Sequence, residues 1–163
     1  MLQVEILRHS PSLFINSGYE DSKPGEVKVA NAVAFIKASK PNILLVEDTD
    51  YIQRINTLFL EQMGCQVTLA DNGRIAFRKA RKYHYDLILM DIGLPIMSGI
   101  EATKAIRLFE AKTGCHTPII ALTAYGHLVE EECRLAGVDG FATKPLLFEN
   151  LAITLAQHLT RKI

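Results

Sequence analysis

From Pro41 onward the chain alternates between short apolar runs and segments of helical periodicity, and this beat limits the possible folds more than any other feature. Asn42 to Val46, Gln66 to Ala70, Leu87 to Asp91, Ile119 to Thr123 and Gly140 to Thr143 have the length and character of strands. Helices are expected between them, over Asp50 to Met63, Asn72 to Arg81, Ser98 to Lys112 and Leu128 to Ala136. Leu147, Leu151, Leu155 and Leu159 mark a last one. In the first helix, Ile52, Ile55, Leu58, Phe59 and Met63 are the residues expected to form the apolar stripe. Gly64 and Gly137 are helix stops, and Ser98 with Glu101 has the spacing of a capping box. Five strands in strict alternation with five helices predict an α/β fold, a parallel sheet covered by helices on both faces. The apolar neighbours of Leu87 to Asp91 fit a strand buried on both sides.

Residues 1 to 40 differ in texture. Ser, Pro and Gly clusters around Pro11 and Pro24 are turn material, and Val29, Val33 and Ile36 make only a weak helical stripe. An N-terminal arm or linker, partly ordered and docking on the main domain, is expected over 1–40, with that domain at 41–163. Eighteen basic residues balance eighteen acidic ones, which argues against a chain built to coat nucleic acid or an anionic membrane. Apolar runs such as Ile43 to Val46 are far too short to cross a bilayer, and the N-terminus lacks the order of a secretory signal. Three cysteines without C-x-x-C spacing suggest reduced thiols and a cytoplasmic setting. The five histidines are too scattered for a zinc site.

In a parallel sheet the ligand lies beyond the carboxyl ends of the strands, so chemistry is read from the residues found there. Glu47 and Asp48 follow the first strand, Asp91 ends the third, Thr123 ends the fourth, and Lys144 follows the fifth, with Pro145 next. Three carboxylates in one place repel one another and call for a cation. Oxygen donors without histidine or thiolate favour a hard divalent ion, Mg²⁺ or Mn²⁺. A hydroxyl and an ammonium opposite them suit the oxygens of a phosphoryl group. Together the set describes phosphoryl transfer to an aspartate. A single acid at a strand end is more often a helix cap or a solvated loop residue, so the weight rests on the whole set.

The stretches Ile43-Leu44-Leu45-Val46-Glu47-Asp48, Asp86 to Gly99, Pro118 to Ala124 and Lys144-Pro145-Leu146 carry a resemblance. Residues 42 to 160 resemble the receiver domain of two-component signalling, a flavodoxin-like family that includes the chemotaxis response regulator. The resemblance implies a five-stranded, doubly wound parallel sheet of order 2-1-3-4-5. It also implies that Asp91 accepts the phosphoryl group as an acyl phosphate, in self-catalysed phosphorylation and dephosphorylation. By the same resemblance Glu47, Asp48, Asp91 and the backbone carbonyl of Gly93 hold Mg²⁺, Glu47 through water. Thr123 would bond the phosphoryl oxygen and Lys144 would pair with it. Lys144–Pro145 would be cis. Thr123 and Phe141 would form the switch, and Gly93 and Tyr125, each two residues beyond a key position, would tune the phosphoryl lifetime.

The motifs resemble in particular the receivers of hybrid sensor histidine kinases. The implied partners are a sensor histidine kinase or a histidine phosphotransfer protein. A homodimer is implied through the fourth helix (128–136), the fifth strand and the last helix, with neither nucleic acid nor membrane insertion. No output domain follows the last helix, so readout is expected in trans; a fragment of a hybrid kinase and a free-standing regulator both remain open. A different reading is a haloacid-dehalogenase-like phosphatase using Asp48 in the D-x-D of Asp48-Thr49-Asp50. It needs a second acidic metal pair late in the chain, for which Val138-Asp139-Gly140 is a poor candidate. A flavin binder would need a Ser-, Thr- or Gly-rich loop after the first strand, where Glu47 to Asp50 would repel phosphate. A receiver kept only for binding would not need the intact acid, threonine and lysine set.

Overall fold

A computed structural model describes residues 24 to 124 and 129 to 160. Its strands are β1 (Asn42–Val46), β2 (Gln66–Ala70), β3 (Leu87–Asp91), β4 (Ile119–Thr123) and β5 (Gly140–Thr143). Its helices are α1 (Pro24–Ser39), α2 (Asp50–Gln62), α3 (Gly73–Lys82), α4 (Gly99–Thr113), α5 (Glu130–Ala136) and α6 (Phe148–Leu159). The strands form one parallel sheet ordered β2-β1-β3-β4-β5, as expected. Every strand falls where the apolar runs placed it. The helices from α2 onward end within one or two residues of expectation, except that the start expected at Leu128 lies outside the described residues.

Alternation along the central strands sorts their side chains to two faces. Ile43 and Leu45 of β1, with Leu87 and Leu89 of β3, enter a core shared with α1, α2 and α6. Leu44, Val46, Ile88 and Met90 enter a second core with α3 and α4, and Ala121 packs with Cys133 and Ala136 of α5. Because both faces are covered, β3 and β4 are buried at every position, whereas the edge strands β2 and β5 are only partly buried.

The apolar stripe expected of α2 needs correcting. Leu60 and Met63 are buried, but Ile55 and Leu58 are 49% and 53% exposed, and Asn56 is buried in their place. Apolar residues occupy more of the helix circumference than the sheet covers. The face turned inward is set by Leu60 and Met63, with Phe59 edge-on to Phe148 at 5.8 Å. Tyr51, Ile55 and Leu58 are left on the outside.

The weak stripe before the sheet forms a full helix. α1 starts on a proline, which suits the first helical position. It buries Ala32 and Ile36 in the core shared with α6, with Val29, Val33 and Phe35 against it. Its last turn rests on the α2–β2 connection, where Gly64 has φ +87°, and a Cβ there would lie 3.1 Å from the Lys37 Cα.

The loop between β3 and α4 is held by close backbone approach. Gly99 lies so near the strand that a Cβ would sit 2.0 Å from the Asp91 carbonyl oxygen. The Gly73 N–H donates to the Met97 carbonyl at 3.0 Å. The Ser98 hydroxyl accepts from the Glu101 N–H at 3.2 Å while the Glu101 carboxylate accepts from the Ser98 N–H at 2.8 Å, the expected capping box. Cys65, Cys115 and Cys133 are unpaired thiols, and burial pushes Cys65 up to about 12. Among the described residues no helix is long and apolar enough to cross a membrane.

Candidate metal centre

The carboxyl ends of β1, β3, β4 and β5 bring Glu47, Asp91, Thr123 and Lys144 to one edge of the sheet. Glu47 is fully buried and tightly held. Its Oε1 accepts from the Thr49 N–H at 3.1 Å, its Oε2 accepts from Lys144 Nζ at 2.8 Å, and its backbone carbonyl accepts from Gln53 Nε2 at 3.0 Å. Asp48 is exposed, with one long contact, 3.5 Å, from the Thr49 hydroxyl. Asp91 is buried; its Oδ1 accepts from the Gly93 N–H at 3.2 Å and its Oδ2 from Lys144 Nζ at 2.9 Å.

Lys144 therefore serves two carboxylates at once. Its own position is fixed from the backbone, where its N–H donates to the Thr123 carbonyl at 2.9 Å. The Lys144–Pro145 bond is cis. Burial alone pulls the lysine pKa down, but the hydrogen bonds and charges of Glu47 and Asp91 outweigh it and hold the ammonium above its ordinary value. Thr123 is buried beside it at the end of β4.

Carboxylate oxygens of Glu47, Asp48 and Asp91 all lie within 4.8 Å of one another. Three such carboxylates against one ammonium leave an excess of negative charge, facing solvent on the Asp48 side. Oxygen-only donors at this spacing fit a hard divalent cation that keeps part of its water shell. A buried acid with a lysine and a threonine nearby also offers a carboxylate nucleophile and donors for an oxyanion.

The remaining expected residues fall into three groups. Gly93 stands beside the carboxylates, and among the described residues nothing but its own chain neighbours lies within 4 Å of where its Cβ would be. Phe141 is half-buried on β5, against the Ala121, Cys133 and Ala136 cluster, with the Arg134 guanidinium 5.7 Å from its ring centre. Tyr125 lies outside the described residues. Thr49 and Gln53 brace Glu47 through a backbone N–H and a single amide, and nothing in their sequence spacing marks that role.

The dehalogenase-like reading fails on Asp139. That residue sits before β5, at the opposite edge of the sheet from Asp48. Its carboxylate accepts from Arg107 at 2.7 Å and from the Ile119 N–H at 2.8 Å, and pairs with His116 at 2.7 Å. It is a structural clamp and supplies no second metal pair beside Asp48.

Residues 43–156 match the sequence model of the response regulator receiver domain. A probable histidine kinase of Oryza sativa subsp. indica is 35% identical over 75% of this chain, and the match spans only 16% of that kinase's length. The receiver domain of a sensor histidine kinase from Pseudomonas aeruginosa superposes with a TM-score of 0.68 at 37% identity, covering 74% of this chain and 98% of that one. Its crystal structure has a magnesium ion coordinated in the active site cleft. The receiver domain of the response regulator Ssk1 of Saccharomyces cerevisiae, crystallised with the histidine phosphotransfer protein Ypd1, gives a TM-score of 0.72 at 32% identity, covering 76% and 91%.

Proposed function

Because this chain belongs to the response regulator receiver domain family, we propose that it is a phosphoacceptor in a two-component phosphorelay, with Asp91 as the acceptor. The observation that carries this reading is the Asp91 carboxylate, buried at a strand end between the Lys144 ammonium and two further acids. In the transfer, one Asp91 oxygen attacks the phosphorus of a phospho-histidine. A P–O bond forms, the P–N bond breaks, and the imidazole leaves with the electron pair of that bond. Lys144, already 2.9 Å from Asp91 Oδ2, is in reach to pair with a phosphoryl oxygen, and the Thr123 hydroxyl is the candidate donor to another. Glu47, Asp48 and Asp91, with the Gly93 carbonyl, would hold Mg²⁺, or Mn²⁺ in its stead. The bound ion supplies neutralisation of the charge that gathers on the transferring group. The same set supports self-catalysed labelling from a small phosphodonor and slow self-catalysed hydrolysis, with the space that the described residues leave beside Gly93 giving water a route.

The donor in this reading is a histidine phosphotransfer protein or a sensor histidine kinase. The complex of the yeast receiver with Ypd1 supports the first and the match within the rice kinase supports the second. That match also favours a receiver carried by a hybrid kinase over a free regulator, and the reading frame upstream of Met1 tests it. On phosphorylation Thr123 moves toward the new group and Phe141 turns inward, which remodels the α5–β5–α6 face for a partner or a second copy. Incubation with Mg²⁺ and acetyl phosphate is expected to add a single phosphoryl group by intact mass. Equal labelling of Asp91→Asn would refute the assignment.

A further inference from the structure

We infer that α1 is a transmission helix, whose docking on α6 is coupled to the occupancy of the Asp91 site; the inference rests on the phosphoacceptor reading above. α1 lies wholly before the stretch that matches the receiver domain, residues 43–156. It is nonetheless built into the same core. Ile36 is fully buried and Ala32 is 8% exposed, in one cluster with Leu151, Ala152, Leu155 and Leu159 of α6. The cluster reaches to the site at its other end. Leu122, directly before Thr123, and Leu146, two residues after Lys144, both belong to it. Each of the two residues that face a phosphoryl group thus has a near neighbour in the core that α1 closes.

Lys144 supplies the element with two states. Its ammonium bridges Glu47 and Asp91 at 2.8 and 2.9 Å. A cation on those carboxylates draws the charge of Glu47 and Asp91 away from the ammonium, while the oxygens of a phosphoryl group on Asp91 draw the ammonium toward themselves, so the partners of Lys144 change with the state of the site. A shift of Lys144 displaces Leu146 and the start of α6. Close-packed cores pass such a displacement on, because they have no slack to absorb it. At the far end α1 rests on α6 and, through Lys37, on the Gly64 turn. Coupling of this kind is reciprocal: whatever the site does to α1, a force on α1 does to the site by the same factor. A helix that precedes the sheet and senses the phosphoryl group links the domain to whatever stands before it in the chain.

Hydrogen exchange of the full chain, read by mass spectrometry with and without Mg²⁺ and beryllofluoride, tests this. Exchange in residues 28–38 is expected to change about fivefold or more, together with residues 87–99 around the site. A response at 87–99 with none at 28–38 overturns the coupling and leaves the phosphoacceptor reading intact. No response at either place refutes that reading, and the coupling falls with it. In the full-length Ile36→Ser variant, which leaves every carboxylate in place, Mg²⁺ affinity in the presence of beryllofluoride should shift by a similar factor. An affinity within twofold of the wild type would overturn the inference.

Discussion

Lys144 is the residue on which the charge of the site turns. Its pKa is raised in the folded protein, so the folded state holds the proton more tightly than the unfolded chain does. The stabilisation is therefore fully present below the ordinary lysine value, about 10.4. It is lost as pH rises through the higher folded value. With metal chelated, the urea midpoint of the wild type should exceed that of Lys144→Met at pH near 8 by a margin that narrows by about pH 11. A margin that stays constant would show that the ammonium is not what balances Glu47 and Asp91. The positions that meet at this site, Glu47, Asp91, Thr123 and Lys144, were legible in the sequence because each follows or ends an apolar run, and parallel strands bring their carboxyl ends to one edge. Gln53 was not legible, since a glutamine one turn into a helix looks like any solvated polar residue.

At the scale of elements the strands were the clearest. An uncharged run of four or five apolar residues has few ways to be buried other than in a covered sheet. Helices are less legible where the apolar pattern is too weak or too broad. α1 has a thin stripe, and its burial comes from α6 and the α2–β2 turn, partners far away in sequence. α2 has the opposite pattern, with more apolar residues than one face can hold, so Ile55 and Leu58 share the helical spacing of the stripe and yet lie outside. The two helices give a contrasting pair of substitutions. Ile36→Ala, which opens a cavity between α1 and α6, is expected to cost about 2–4 kcal/mol in urea denaturation. Leu58→Ala, at an exposed position, is expected to stay within about 0.5 kcal/mol. Equal effects would mean that α1 is not docked as described.

At the scale of the whole molecule, two clusters of charged side chains stand at opposite edges of the sheet among the described residues. The carboxyl edge gathers acids around a single lysine, and the amino edge joins Arg107, Glu110, His116 and Asp139 into a clamp between α4 and β5. The clamp fixes the fold without touching the site. Asp139→Ala should lower stability by about 1–3 kcal/mol, chiefly through the Ile119 N–H and the part-buried Arg107 guanidinium whose acceptor it removes, while acetyl phosphate labelling of the protein that remains folded is unchanged. Loss of labelling in that folded fraction would place Asp139 in the chemistry after all. The central claim is that one carboxylate, Asp91, carries the phosphoryl group, and the acyl phosphate itself offers the most direct test. Borohydride reduces an acyl phosphate to an alcohol and so converts a phosphorylated aspartate to homoserine. After treatment with Mg²⁺, acetyl phosphate and borohydride, peptide sequencing by mass spectrometry should find homoserine at position 91 and aspartate still at position 48. Homoserine at position 48, with position 91 unaltered, would contradict the account.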